Sequence, residues 1–159
     1  MATAHHNLSD IQLEALPPGD NLRIGLVVAR WNPEITEALY KGAMEVLQAK
    51  NVPPANITRL NVPGSIELTY GCKKLCQKQN AYHAVIAIGV VIEGETRHFD
   101  YVCQSVTQGI TALNLQYKTP VIFCVLTDKN IEQSRARSGG SHGNKGSECA
   151  AAALQMAVL

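Results

Sequence analysis

Nine consecutive residues, Ala84-Val85-Ile86-Ala87-Ile88-Gly89-Val90-Val91-Ile92, carry no polar side chain. A β-strand sends alternate side chains to opposite faces, so this run is a strand covered on both, as in a parallel sheet between layers of helix. The rest of the chain supplies those layers. A shorter apolar strand, residues 22–29, opens after the turn Pro17-Pro18-Gly19-Asp20. Pro33 suits a first helical position, and Ile35, Leu39, Ala43, Val46 and Leu47 recur at helical spacing until Val52-Pro53-Pro54. Residues 57–62 read as a strand stopped by Pro63-Gly64, with Ser65 as N-cap of a helix running to about Gln79. A helix from about Thr96 to Asn114 follows the nine-residue run, and then a strand over 120–126. Asn130 and Gln133 have capping-box spacing for a short helix ending near Arg137. The glycine-rich stretch 139–146 is expected to be a loop, and residues 147–159 an Ala-rich closing helix.

Strands alternating with helices give an α/β fold: a three-layer sandwich with a four-stranded parallel sheet flanked by helices, doubly wound and flavodoxin-like. The 159 residues make one domain, 22–159, preceded by a segment 1–21 with little core of its own. Ligands of such sheets bind outside the carboxyl ends of the strands, at the switch point of strand order.

Composition narrows the function. With 14 basic and 13 acidic residues there is no basic field for nucleic acid or lipid, and no apolar run approaches the roughly 18 residues of a membrane span. Charged residues are 17 % of the chain against about 25 % in an average domain. Coverage by another subunit and a surface rich in uncharged polar residues explain that equally well. Cys72, Cys76, Cys103, Cys124 and Cys149 are an odd set without a Cys-x-x-Cys pair, read as reduced thiols. No metal site is expected, and His5 and His6 are read as solvated. The first ten residues match no targeting signal, so the cytoplasm is the expected location.

The unusual polar residues do follow the strands. Arg30-Trp31-Asn32 holds the only tryptophan, which fits either a core or stacking on a planar heterocycle. Gly64-Ser65-Ile66-Glu67 brings N–H groups, a hydroxyl and a carboxylate to a helix start, where Glu67 either offsets the helix dipole or accepts from ring N–H groups of a ligand. In Glu93-Gly94-Glu95-Thr96-Arg97-His98 the helix start offers N–H groups to an anion, and His98 has either a structural or a proton-transfer role. Arg137 and Lys145 bracket the glycine stretch and suit a phosphate.

Other chemistries fit poorly. Asn144 and Gly146 flank Lys145 where a phosphate-binding P-loop has Gly and Ser or Thr, and Arg30-Trp31-Asn32-Pro33 replaces the glycine turn of dinucleotide binders. An electron carrier on this architecture needs a hydroxyl- and glycine-rich loop after the first strand, and a receiver domain an aspartate where Ile92 and Glu93 stand.

Taken together, the motifs Ala29-Arg30-Trp31-Asn32, Val62-Pro63-Gly64-Ser65-Ile66-Glu67, Gly94-Glu95-Thr96-Arg97-His98-Phe99-Asp100-Tyr101, Pro120-Val121-Ile122-Phe123, Leu126-Thr127 and Gly143-Asn144-Lys145-Gly146 resemble the 6,7-dimethyl-8-ribityllumazine synthases. The resemblance runs from about Leu22 to the C-terminus. It implies a transferase of riboflavin biosynthesis that joins 5-amino-6-(D-ribitylamino)uracil to 3,4-dihydroxy-2-butanone 4-phosphate, releasing phosphate and water without cofactor or metal. It further implies that Trp31 stacks on the pyrimidine, and that Ser65, Ile66, Glu67, Val90, Val91, Ile92 and a neighbouring subunit's Phe123 hold its ring and ribityl chain. Glu95 and Thr96 would bind phosphate through backbone N–H groups, with a neighbouring subunit's Arg137 and, less strongly, Lys145. His98 matches the proton-transfer residue.

The same resemblance implies a homopentamer with sites between adjacent subunits, and a functional link to riboflavin synthase. Segment 1–21 would pair with a neighbouring sheet, and the short 137–146 stretch favours twelve pentamers in a sixty-subunit shell. The chain departs from the commonest family pattern at Trp31, Ile66, Glu95, Cys124 and Ser141.

Overall fold

The computed structural model describes residues 7–78 and 81–159. His5, His6 and Gln79 lie outside them, as do the first six residues of the N-terminal segment. Strands β1 (Ile24–Ala29), β2 (Ile57–Val62), β3 (Ala84–Ile92) and β4 (Val121–Asp128) form one parallel sheet in the order β2-β1-β3-β4. Val28 of β1 pairs with Asn61 on one side and Ile88 on the other, and the β3–β4 register ends at Ile92 opposite Asp128.

Helices α1 (Pro33–Ala49) and α5 (Lys145–Met156) cover one face of the sheet, while α2 (Leu68–Cys76) and α3 (His98–Gln116) cover the other. Alternation along the strands divides the core accordingly. Leu26, Ile86 and Ile88 pack with Leu39, Leu47 and Leu154, whereas Val27, Val85 and Ala87 pack with Leu68, Leu75 and Ile110. All of β1 and the first seven residues of β3 are buried, as the unbroken apolar runs require. A short helix, α4 (Ile131–Arg137), follows β4. The Asn130 side chain accepts the Gln133 N–H at 3.0 Å, and Gln133 returns its side-chain oxygen to the Lys129 N–H, one residue earlier than in a capping box.

Several boundaries differ from expectation. Ser65 does not cap α2, which begins at Leu68; its hydroxyl donates instead to the Val90 carbonyl at 3.0 Å. Helix α3 opens at His98 and ends at Gln116, about two residues later at each end than the periodicity indicated. The glycine stretch is not a loop throughout. It forms a small antiparallel hairpin, β5 (Ser138–Gly140) with β6 (Gly143–Asn144), and its last two residues already belong to α5, which ends at Met156 rather than Leu159.

Asn144 and Ser147 set that early helix start. Asn144 accepts the Gly146 N–H at 2.8 Å and donates its amide to the Ala38 carbonyl at 2.9 Å, while the Ser147 hydroxyl reaches the Gly42 carbonyl at 3.1 Å. A Cβ on Gly146 would lie 1.8 Å from the Leu39 carbonyl oxygen, and one on Gly42 would lie 2.3 Å from the Asn144 side chain. Gly146 lets α5 touch the backbone of α1, and Gly42 leaves room for the Asn144 side chain.

The N-terminal segment lies along its own chain over the described residues. Leu8 donates its N–H to the His142 carbonyl, Asn144 to the Ser9 hydroxyl, and the Lys50 ammonium reaches the Leu13 carbonyl at 3.0 Å. All five cysteines are free thiols. Burial raises the Cys72 thiol pKa, and pushes that of Cys76 up to about 11, so both stay protonated near neutrality. No helix among the described residues is long and apolar enough to cross a membrane.

Two outcomes follow from this packing. Gly146→Ala should lower stability by about 1–3 kcal/mol or more, because backbone cannot yield as a side-chain tip does; thermal melting reads it. His83 provides a pH signature. The Arg23 N–H donates to His83 Nδ1 at 2.9 Å, which requires neutral imidazole, and burial together with the Arg23 charge lowers the His83 pKa. The unfolded chain therefore binds the proton more readily, and this stabilisation, complete above the unfolded value of about 6.5, is lost as pH falls below it. The fall in Tm between about pH 7.5 and about pH 5.5 should be smaller in His83→Gln than in the parent.

Candidate active site

Strands β1, β2 and β3 end side by side, and the segments leaving them bound a cleft of about 580 Å³ at the β1/β3 switch point. Backbone bonds tie the rims together. The Arg30 and Trp31 N–H groups donate to the Val62 and Pro63 carbonyls, holding the turn after β1 against the end of β2. Asn32 then adopts a left-handed conformation with φ of 55°, and its carbonyl accepts from the Ile35 and Thr36 N–H groups to start α1. That sharp reversal leaves the Trp31 indole 71 % exposed over the cleft, which excludes the core-filling alternative. Ile66, 43 % exposed, adds apolar surface after β2.

The cleft floor is the end of β3. Val90, Val91 and Ile92 line it, with Ser65 anchored on the Val90 carbonyl. A Cβ on Gly89 would fall 2.7 Å from the Ser65 hydroxyl and 2.8 Å from Leu68, so the glycine admits the turn that carries Ser65. The Glu67 carboxylate bends back to accept the Gly64 N–H at 2.9 Å, serving the helix start while it also lines the cleft. On the far side the Glu93 N–H donates to the Asp128 carbonyl at 2.9 Å, and the chain then passes through Gly94, Glu95 and Thr96 into α3. Thr96 and His98 line the cleft there, and the exposed His98 imidazole stands on the first residue of the helix.

The structure thus brings Trp31, Ser65, Ile66, Glu67, Val90, Val91, Ile92, Thr96 and His98 together around one space. Glu95, Phe123, Arg137 and Lys145 do not line it. Phe123 is half-buried on β4 against the α2/α3 layer, and the Arg137 guanidinium donates to the Gln133 carbonyl within α4. The Lys145 ammonium is 2.9 Å from the Glu148 carboxylate. Burial works to lower its pKa, but that carboxylate, with Cys149, holds it above the usual lysine value. Phe99, quoted above only as part of a motif, and Val102, not singled out from sequence, also line the cleft. The i, i+3 spacing of Phe99 and Val102 was the available signal, since it places both on one face at the start of that helix.

Chemically, the cleft offers apolar side chains for a planar ring, carbonyl and carboxylate acceptors for ring N–H groups, and a histidine that can exchange a proton. Among the described residues no cluster of His, Cys, Asp or Glu has the makings of a metal site.

Residues 21–159 match the profile of a known family, 6,7-dimethyl-8-ribityllumazine synthase. The chain is also similar over its whole length to individual proteins of that name. It is 57 % identical to the one from Christiangramia forsetii, covering 95 % of that protein, and 57 % identical to the one from Flavobacterium johnsoniae, covering 83 %. The protein from Porphyromonas gingivalis is 54 % identical, with 98 % covered.

The close fit at Gly89 can be tested directly. Gly89→Ala should displace Ser65 or Leu68 and lower stability by about 1–3 kcal/mol, read by thermal melting.

Proposed function

The chain belongs to the 6,7-dimethyl-8-ribityllumazine synthase family and serves riboflavin biosynthesis, and from that premise we propose how its cleft carries out the condensation. The pyrimidine of 5-amino-6-(D-ribitylamino)uracil stacks on Trp31, with the Ile66 side chain beside it and the end of β3 beneath. Backbone groups of 90–92 and the Ser65–Glu67 turn take its polar edge and ribityl chain. The butanone phosphate lies towards Thr96, its phosphate received by the Glu95 and Thr96 N–H groups at the turn into α3. A neighbouring subunit supplies Arg137 to that phosphate and Phe123 to the pyrimidine side. Lys145, already paired with Glu148, is a subordinate cation.

The steps need no cofactor or metal. The 5-amino nitrogen attacks the ketone carbon, and loss of water gives an imine. A proton removed from the adjacent carbon lets the electron pair expel phosphate, and His98 carries protons at this stage. The enol left by that elimination takes a proton on its terminal carbon and becomes a ketone, on which the 6-amino nitrogen closes the second ring with loss of a second water. Holding amine and ketone together supplies most of the acceleration, so His98 need contribute only about 10²–10⁴-fold. The side chain of Glu95 is exposed and has room to point away from the phosphate, as like-charge repulsion requires.

The observation that carries this reading is the meeting of Trp31, Glu67 and His98 in one cleft, while Arg137 and Phe123 stand elsewhere on the chain. Such separation suits a homopentamer whose sites lie between adjacent subunits. The short 137–146 segment favours a sixty-subunit shell of these pentamers, a product passed to riboflavin synthase and a cytoplasmic location completing the picture.

Purified protein mixed with both substrates should form lumazine and release phosphate in equal amounts, faster than the uncatalysed reaction. His98→Ala should lower kcat by up to about 10²–10⁴-fold, and Arg137→Ala should chiefly raise KM for the butanone phosphate. A parent protein that bound riboflavin at Trp31 without accelerating the reaction would replace the synthase with a flavin carrier.

A further inference from the structure

Resting on the reading just given for Arg137, we propose that Asp128 and Ser134 are positioning residues that set Arg137 for its phosphate. Asp128 is the last residue of β4 and is 93 % buried, since its relative exposure is 7 %. Its carboxylate accepts the hydroxyl of Ser134, fully buried in α4, at 2.8 Å. A hydrogen bond to a buried carboxylate is among the stronger neutral-to-ion contacts, and here it fastens a helix of only seven residues to the sheet. Arg137 is the last residue of that helix, and its guanidinium is held by the Gln133 carbonyl at 3.1 Å, one residue from Ser134.

The same aspartate touches the other half of the machinery. Its backbone carbonyl accepts the Glu93 N–H at 2.9 Å, at the head of the turn that leads through Gly94 to Thr96 and His98. Asp128 therefore fixes two things at once: by its carbonyl, the turn that receives phosphate on its own chain, and by its carboxylate, the helix that presents Arg137. Side-chain variants affect only the second. Loss of the Asp128–Ser134 bond should loosen α4 and spread Arg137 over several positions while the cleft itself stays intact. The effect should appear on the phosphate-bearing substrate and not on the pyrimidine.

The test uses full-length protein and both substrates, with steady-state constants for parent, Ser134→Ala, Asp128→Ala, Asp128→Asn, the double alanine variant and Arg137→Ala. Ser134→Ala and Asp128→Ala should each raise KM for the butanone phosphate by roughly 3–10-fold, leaving KM for the pyrimidine within about twofold. The double variant should be no worse than either single one, as coupled partners require. Asp128→Asn, which keeps an acceptor for the Ser134 hydroxyl, should stay near the parent. Equal rises for both substrates, or no rise while Arg137→Ala raises that KM, would overturn the positioning role and leave the reading of Arg137 intact. No effect of Arg137→Ala on the same KM would instead remove the reading on which the proposal rests. A destabilised Asp128→Ala does not blunt the test, since Ser134→Ala and Asp128→Asn carry it alone.

Discussion

Strand β3 has helices on both faces and strands on both edges, and the rest of the molecule is arranged around that enclosure. Its buried residues bring a large part of the favourable apolar burial, and they do so only if α1 with α5 and α2 with α3 close over opposite faces. Parallel neighbours then require every connection to cross from the carboxyl end of one strand to the amino end of the next. All the segments that follow the strands are gathered at one end. Polar groups have no place inside the sheet, so the chemistry collects where β3 finally reaches solvent at Val91 and Ile92.

Much of this was legible because it depends on periodicity. The nine-residue apolar run, the stripe from Ile35 to Leu47 and the Asn130 cap each leave a pattern in the sequence that survives without knowledge of contacts. The residues around the cleft were legible for a related reason: they interrupt that pattern at strand ends. Ser65 was misplaced because a hydroxyl near a helix start has two partners open to it, the helix N–H groups from which it would accept and a carbonyl to which it can donate. Local spacing favours the helix, but the Val90 carbonyl, 25 residues away, wins. Long-range partners of that kind leave no local mark.

The stretch from Gly143 to Gly146 shows the same limit from another side. Asn144 fits against Gly42, Gly146 sits on the Leu39 carbonyl, Gly143 lies against the backbone of Leu8 and Ser9, and Lys145 pairs with Glu148. The demand for small residues at 143 and 146 comes from neighbouring backbone, that of the N-terminal segment at the first and of α1 at the second. Composition alone does not separate a backbone that must approach a phosphate from one that must approach another helix.

The residues that line the cleft lie between Trp31 and Val102, whereas Phe123 and Arg137 lie later in the chain and outside it. If each working site joins the early part of one subunit to the late part of the next, a lesion in either part spoils only the sites to which that part contributes. Two different inactive chains folded into a common ring would then share out their defects, and some junctions would unite two sound halves. Activity would return from a mixture of proteins that are inert when kept apart.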